Sequence, residues 1–241
     1  MTRIMIIGGT DSSGGAGLSR DTAVAAALGY EVMPIVTAVT AQSDVQFMGA
    51  HPVPPEFVAM QIKAALAQGL PAAIKIGMLG SHDVALAVAD ALAGLHCPVV
   101  LDPVMKSTSG GVLMAGGLPQ SLLSQTRLIT PNLEEAATLS GTPQAKTDAA
   151  LAAQANWFLA QGAQAVLIKG GHGAGQASVD HLFDGADHHP LQASRLAKGR
   201  RGTGCALATA IACQLAGGDD LRSACQAAKM YIHAWIGESQ G

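Results

Sequence analysis

Arg3-Ile4-Met5-Ile6-Ile7 runs straight into Gly8-Gly9-Thr10-Asp11-Ser12-Ser13-Gly14-Gly15-Ala16-Gly17, and a helical period follows through Leu28. The apolar run has the length of a buried strand. The glycines let backbone N–H groups come close to a ligand where the helix opens. The loop is not G-x-G-x-x-G and lacks the lysine of a Walker A loop, which disfavours dinucleotide and P-loop readings. A tight turn with close helix packing is the alternative use of the same glycines.

The same alternation repeats along the chain. Strands are predicted at Arg3–Ile7, Val32–Val39, Ala72–Ile76, Pro98–Leu101, Arg127–Ile129 and Ala165–Lys169. Helices are predicted at Gly15–Leu28, Pro55–Gln68, Asp83–Ala93, Leu133–Leu139, Thr147–Gln161, Gly204–Ala216 and Leu221–Ile236. Apolar strands alternating with helices imply an α/β fold, with a mostly parallel central sheet covered on both faces. Val179–Phe183 and Leu191–Leu196, joined by Asp184-Gly185-Ala186-Asp187, read as an antiparallel hairpin at one edge. Neither repeat nor linker is visible, so residues 1–241 are expected to form a single three-layer domain. Ligands of such sheets lie beyond the carboxyl ends of the strands.

Composition agrees with a large core. Hydrophobic residues make up 49% of the 241 and charged residues 13%. With aromatics at 3%, the core must be built from Ala, Val, Leu, Ile and Met. A net charge of -3 gives no basic face for nucleic acid. Cys97, Cys205, Cys213 and Cys225 contain no C-x-x-C pair, and the histidines show no metal-ligand spacing. No secretory signal pattern opens the sequence and no apolar run is long enough to span a membrane, so a reduced cytoplasmic protein is expected.

Further segments carry chemistry, each just after a strand. Gly199-Arg200-Arg201-Gly202-Thr203-Gly204-Cys205 meets a helix of small apolar residues. First-turn N–H groups there lack intrahelical partners and favour an anion. A helix N-terminus would also lower the Cys205 pKa, which suits a base or acceptor beside a substrate hydroxyl. A small buried cysteine in a packed helix start is the plainer reading. In Thr130-Pro131-Asn132-Leu133-Glu134-Glu135, Asn132 is a helix cap and Glu135 falls at the capping-box position. The functional alternative puts both near phosphate and hydrated Mg²⁺, with Asp102 in the same cluster. Lys169, in Lys169-Gly170-Gly171-His172, can offset phosphate charge. There is no G-x-S-x-G elbow, which disfavours a serine hydrolase.

Taken together, these segments resemble the hydroxymethylpyrimidine kinase/phosphomethylpyrimidine kinase family of thiamin biosynthesis, within the ribokinase-like superfamily. The likeness rests on Gly9 to Gly17, Thr37-Ala38-Val39-Thr40-Ala41-Gln42, Lys75-Ile76-Gly77-Met78-Leu79 and Leu101-Asp102-Pro103-Val104-Met105. Ile129-Thr130-Pro131-Asn132 with Glu135, Lys169-Gly170-Gly171-His172 and Gly202-Thr203-Gly204-Cys205 complete it. The resemblance implies a cytoplasmic homodimer that phosphorylates a hydroxymethylpyrimidine, and its monophosphate, from ATP. It implies that Gly9, Asp21, Gln42 and Met78 bind the pyrimidine. Gly202, Thr203 and Gly204 would form the anion hole, with Cys205 where the superfamily often has an Asp base. Asp102, Asn132, Glu135 and Lys169 would serve ATP, with Asp102 and Glu135 reaching Mg²⁺ through water. The chain departs from the family pattern at Arg201, often His there, at Thr108, often Lys, and in the loop Ser43-Asp44-Val45-Gln46-Phe47, which would be a lid. A pyridoxal or pyridoxine kinase is one alternative, and a catalytically silent pyrimidine-binding regulator is another.

Overall fold

The computed structural model describes residues 1–106, 111, 113–170, 176–197 and 199–238. The chain opens with β1 (Arg3–Asp11), α1 (Gly17–Ala27), β2 (Glu31–Gln42) and β3 (Phe47–Pro52). It continues with α2 (Pro55–Leu66), β4 (Ala73–Ile76), β5 (Gly80–Ser81), α3 (His82–Leu92) and β6 (Val99–Leu101). Next come β7 (Met114–Ala115), α4 (Gln120–Leu123), β8 (Leu128–Ile129), α5 (Leu133–Ser140) and α6 (Asp148–Ala160). The last elements are β9 (Ala165–Ile168), β10 (Ala177–Asp184), β11 (Asp187–Ser194), α7 (Thr203–Ala216) and α8 (Leu221–Gly237).

The main sheet has nine strands in the order β11-β10-β9-β8-β6-β4-β1-β2-β3. Pairing is parallel from β2 through β9 and antiparallel at both edges. Alternate residues of each inner strand feed different layers, as a period of two requires. Met5, Ile7, Ile74, Ile76 and Ile129 meet α2 to α6, while Ile4, Ile6, Ala73, Val100 and Leu128 meet α1, α7 and α8. The expected three-layer α/β sandwich is therefore present. Ala206, Ala208, Ala210 and Ala212 of α7 are fully buried. Their small side chains let the helix lie against β4, β6 and β1, aiming its start at the carboxyl ends of those strands.

The sequence reading missed β3. Phe47-Met48-Gly49-Ala50-His51-Pro52 has no clean alternation, and Gly and Pro within it argue against a central strand. It forms at an edge, antiparallel to β2, so the expected lid is a β-hairpin turning at residues 43–46. Strand β1 also runs past the predicted Ile7, since Thr10 and Asp11 pair with Val39 and Thr40 after a register shift. At the other edge, Asp184 pairs with Asp187, which shrinks the predicted loop to Gly185-Ala186. Gly185 takes φ 62° there, the positive value a two-residue hairpin turn needs at its first central position.

Candidate active site

Helix α7 starts at Thr203, one residue before the expected Gly204. Its N-cap, Gly202, has φ 76°, and a Cβ there would lie 2.3 Å from the Gly15 carbonyl oxygen. Any side chain would push the turn off the glycine-rich loop. Gly17 is bound in the same way, with φ 56° and only 2.4 Å between its would-be Cβ and the Gly9 oxygen. The two glycine segments thus close on each other. The Gly202 carbonyl accepts the Ala206 N–H and seals the first turn. That leaves the amides of Thr203, Gly204 and Cys205 without intrahelical acceptors. These residues line a cavity of about 1310 Å³ beyond the strand ends.

One end of the cavity is charged. Lys169, after β9, places Nζ 2.6 Å from Asp102 Oδ1 and 3.9 Å from Glu135 Oε2. Thr130 Oγ1 also donates to Asp102 Oδ1, at 3.3 Å. A Cβ on Gly204 would sit 3.3 Å from Lys169 Nζ and 3.7 Å from Asp102 Oδ2, so the anion turn and this pair adjoin. Asn132 and Glu135 do form the capping box: Asn132 N–H donates to Glu135 Oε2 at 2.7 Å, and Glu135 N–H donates to Asn132 Oδ1 at 2.8 Å. Both also line the cavity. Burial pushes the Glu135 carboxyl above its ordinary value, Lys169 opposes this, and Asp102 adds to it. Of Lys169-Gly170-Gly171-His172, Gly171 and His172 lie outside the described residues, as does the Thr108 segment. No group of three or more His, Cys, Asp or Glu among the described residues could hold a metal ion directly.

Elsewhere the cavity wall is polar, and the charges there are paired with one another, Arg201 with Asp11 and Asp44. Gly9 and Met78 form part of that wall, with a Gly9 Cβ position only 2.7 Å from Met78 Sδ. Gln42 Nε2 donates to Thr40 Oγ1 at 2.8 Å, and its Oε1 accepts from Arg201 Nη2 at 2.8 Å.

One expectation is reversed, and Asp21 sits deeper than the other pocket residues. Asp21 borders the cavity but is fully buried, with Oδ2 2.6 Å from Lys75 Nζ and Oδ1 accepting from Thr209 Oγ1 at 2.8 Å. Its carboxylate is held from the protein side as the partner of a lysine. For Cys205, the expected lowering of the pKa is reversed. Desolvation pushes its thiol up to about 11, against the pull of Lys75, with Asp21 and Asp102 adding to the rise. Desolvation, and not the helix terminus, sets the direction at Cys205.

Lys75 is the site residue that sequence reasoning passed over. It is 1% exposed. Burial would depress its ammonium, but Asp21, with Cys205 and Asp102 nearby, outweighs this and holds it above its ordinary value. The signal was present: a lysine inside the apolar strand Ala73-Ile74-Lys75-Ile76 requires a buried partner. Arg201 was noticed only as a departure. Its guanidinium pairs with Asp11 Oδ2 at 3.1 Å and Asp44 Oδ1 at 3.0 Å.

Residues 11–240 match the family model described as phosphomethylpyrimidine kinase. The chain belongs to that family. A hydroxymethylpyrimidine/phosphomethylpyrimidine kinase of Rhizobium meliloti is 40% identical over 242 residues, covering 98% of this chain and 91% of that protein. One from Streptomyces coelicolor is 42% identical over 235 residues, covering 95% and 86%. Among solved structures, a phosphomethylpyrimidine kinase of Clostridium difficile superposes with TM-score 0.83 at 30% identity, covering 98% of this chain and all of the other. A pyridoxal kinase of Staphylococcus aureus, solved with ADP, gives TM-score 0.86 at 28% identity, covering 98% and 88%. The family is one of phosphotransferases, and the ribokinase-like fold is as expected. No helix among the described residues is long and apolar enough to cross a membrane.

Proposed function

We propose that this kinase moves the γ-phosphoryl group of ATP onto 4-amino-5-hydroxymethyl-2-methylpyrimidine and onto its monophosphate, in thiamin biosynthesis or salvage. The observation that carries this reading is one cavity that holds the anion turn. Gln42, Met78, Lys169 and Asp102 all line it; Gln42 is bonded to Arg201 just before the turn, and Gly204 within the turn adjoins Lys169 and Asp102.

The alcohol binds beside Gln42 and Met78, and ATP at the charged end. The hydroxyl oxygen forms a bond to the γ-phosphorus as the bond to the ADP oxygen breaks. Charge on the migrating group is met by the amides of Thr203, Gly204 and Cys205 and by Lys169. Such a transition state is loose and calls for positioning more than for deprotonation. A Cys205 thiol pushed up by burial is consistent with that, and once the new bond has formed the hydroxyl proton passes to solvent water; with the monophosphate as substrate a phosphate oxygen takes the place of the hydroxyl. Asp102 and Glu135 face a single ammonium, and Asp102 adds to the rise of the Glu135 carboxyl. A hydrated Mg²⁺ accompanying ATP fits beside them through its waters, and when bound it screens phosphate charge. We place the enzyme in the cytoplasm as a homodimer of single-domain subunits spanning 1–241. The exposed Val39 and Met48 beside the open edge of β3 support self-association.

The deciding experiment is a coupled ADP-release assay with the hydroxymethylpyrimidine, its monophosphate and pyridoxine, with and without Mg²⁺. Turnover with both pyrimidines is expected, and ADP release with neither would end the proposal. Similarity to pyridoxal kinase keeps pyridoxine as the competing substrate. Gly204→Val should abolish turnover in a folded enzyme, because its side chain would crowd Lys169 and Asp102 in the anion hole.

A further inference from the structure

Arg201 immediately precedes the anion turn, and its guanidinium ties two loops together. Nη1 donates to Ser43 O at 3.2 Å, to Asp44 Oδ1 at 3.0 Å and to Ser13 Oγ. Nη2 donates to Gln42 Oε1 at 2.8 Å and pairs with Asp11 Oδ2 at 3.1 Å. Asp11 in turn accepts the N–H groups of Ser13 and Ala16, at 2.9 and 2.8 Å, and so shapes the glycine-rich loop. The arm to Asp44 ends on a carboxylate 77% exposed to solvent, where an ion pair contributes little. The arm to Asp11 and Gln42 is buried.

That arm fixes which way the Gln42 amide points. A guanidinium only donates, so the amide oxygen must face Arg201. Thr40 Oγ1 has one proton, and it goes to the Thr10 carbonyl at 2.8 Å. Towards Gln42 that hydroxyl can only accept, so the amide nitrogen must lie there, at 2.8 Å. Two neighbours of opposite polarity therefore demand the same orientation, and rotating the amide by half a turn would break both contacts.

We infer that Arg201 is a positioning residue that sets alcohol specificity by pinning the Gln42 amide. The pocket then reads a heterocycle with a hydrogen-bond acceptor and a donor on adjacent atoms. An aminopyrimidine has that edge in its ring nitrogen and amino group. Pyridoxine does not, because a methyl-bearing carbon separates its ring nitrogen from its phenol. The inference rests on the reading that Gln42 faces the alcohol substrate. Sites built around hydrogen bonds discriminate far more strongly than apolar pockets do.

The test is steady-state kinetics with ATP, the hydroxymethylpyrimidine and pyridoxine, on wild type, Arg201→Met, Gln42→Ala and the double variant. Arg201→Met should raise KM for the pyrimidine about tenfold or more, leave KM for ATP within about threefold, and lower the pyrimidine-to-pyridoxine ratio of kcat/KM by about tenfold. Because Arg201 acts through Gln42, the double variant should be no worse than Gln42→Ala alone. Additive losses, or an unchanged substrate ratio, would overturn the inference. Should Arg201→Met fail to fold, Arg201→Lys keeps the charge but cannot span Asp11 and Gln42, and the same fall in ratio is required of it. A wild-type enzyme that phosphorylates neither alcohol refutes the functional reading and this inference with it. An active wild type with an unaltered ratio in the variants refutes this inference alone.

Discussion

Lys75 and Lys169 make the same bond in two different places. Each belongs to or follows a central strand, and each sets Nζ 2.6 Å from an aspartate oxygen. The Lys75–Asp21 pair is sealed, with both side chains 1% exposed, whereas Lys169 opens onto the cavity at 14%. Asp21 has its second oxygen occupied by Thr209, so the first pair is closed on itself. The second pair shares Lys169 between Asp102 and Glu135, leaving excess negative charge on the cavity wall. One pair holds helix α1 to strand β4, and the other is set where phosphate charge must be met. The distance is equal, and exposure separates the roles.

The comparison breaks most visibly at Lys75. Removing one member of a sealed pair leaves a buried charge without compensation, which costs about 3–5 kcal/mol. Lys75→Met should therefore lower unfolding stability by that amount in urea titrations. Lys75→Met combined with Asp21→Leu should recover most of it, less about 1 kcal/mol for the Thr209 hydroxyl that loses its acceptor. A single variant as stable as wild type would show that the sealed pair does not hold the fold. Lys169→Met should behave in the opposite way. Its stability should fall by less than in Lys75→Met, because Lys169 opens onto the cavity and water can reach the carboxylates it leaves, while kcat/KM for ATP falls about 10²- to 10³-fold. Equal losses of stability in the two variants would erase the distinction.

The sequence carried the frame of this site better than its wiring. Strand ends, the glycine turns and the capping box at Asn132 and Glu135 follow from local pattern and were legible. The partnership of Lys75 with Asp21 joins residues 54 positions apart, and nothing local names the partner. The lysine inside an apolar strand announced only that some partner must exist. Arg201 reaches across 157 residues to Asp44 and 159 to Gln42, so its role depends on how the loops meet. Strand β3 was hidden because an edge tolerates the Gly and Pro that rule out a central strand. Cys205 was misjudged for another reason. The helix terminus is local and visible in sequence, but the burial that overrides it is tertiary.

Cys205 supplies the finest probe of the two lysines, since it lies within the field of both. Its thiol is raised from an ordinary 9.0 to about 11, and Lys75 is the cation that restrains the rise. A group raised in the folded state contributes stability below its unfolded pKa and loses it as pH climbs through the folded one. Stability should thus decline between pH 9 and about 11, and Cys205→Ser should make that decline shallower, the remainder coming from Cys213 and Cys225, which burial pushes up to about 12. Iodoacetamide labelling followed peptide by peptide should show the Cys205 rate climbing until about pH 11, because only the thiolate reacts. In Lys75→Met, measured where the variant is folded, the midpoint should move higher still. A midpoint at or below 9 in wild type would mean that the helix terminus governs the thiol after all, and Cys205 would return as a candidate base.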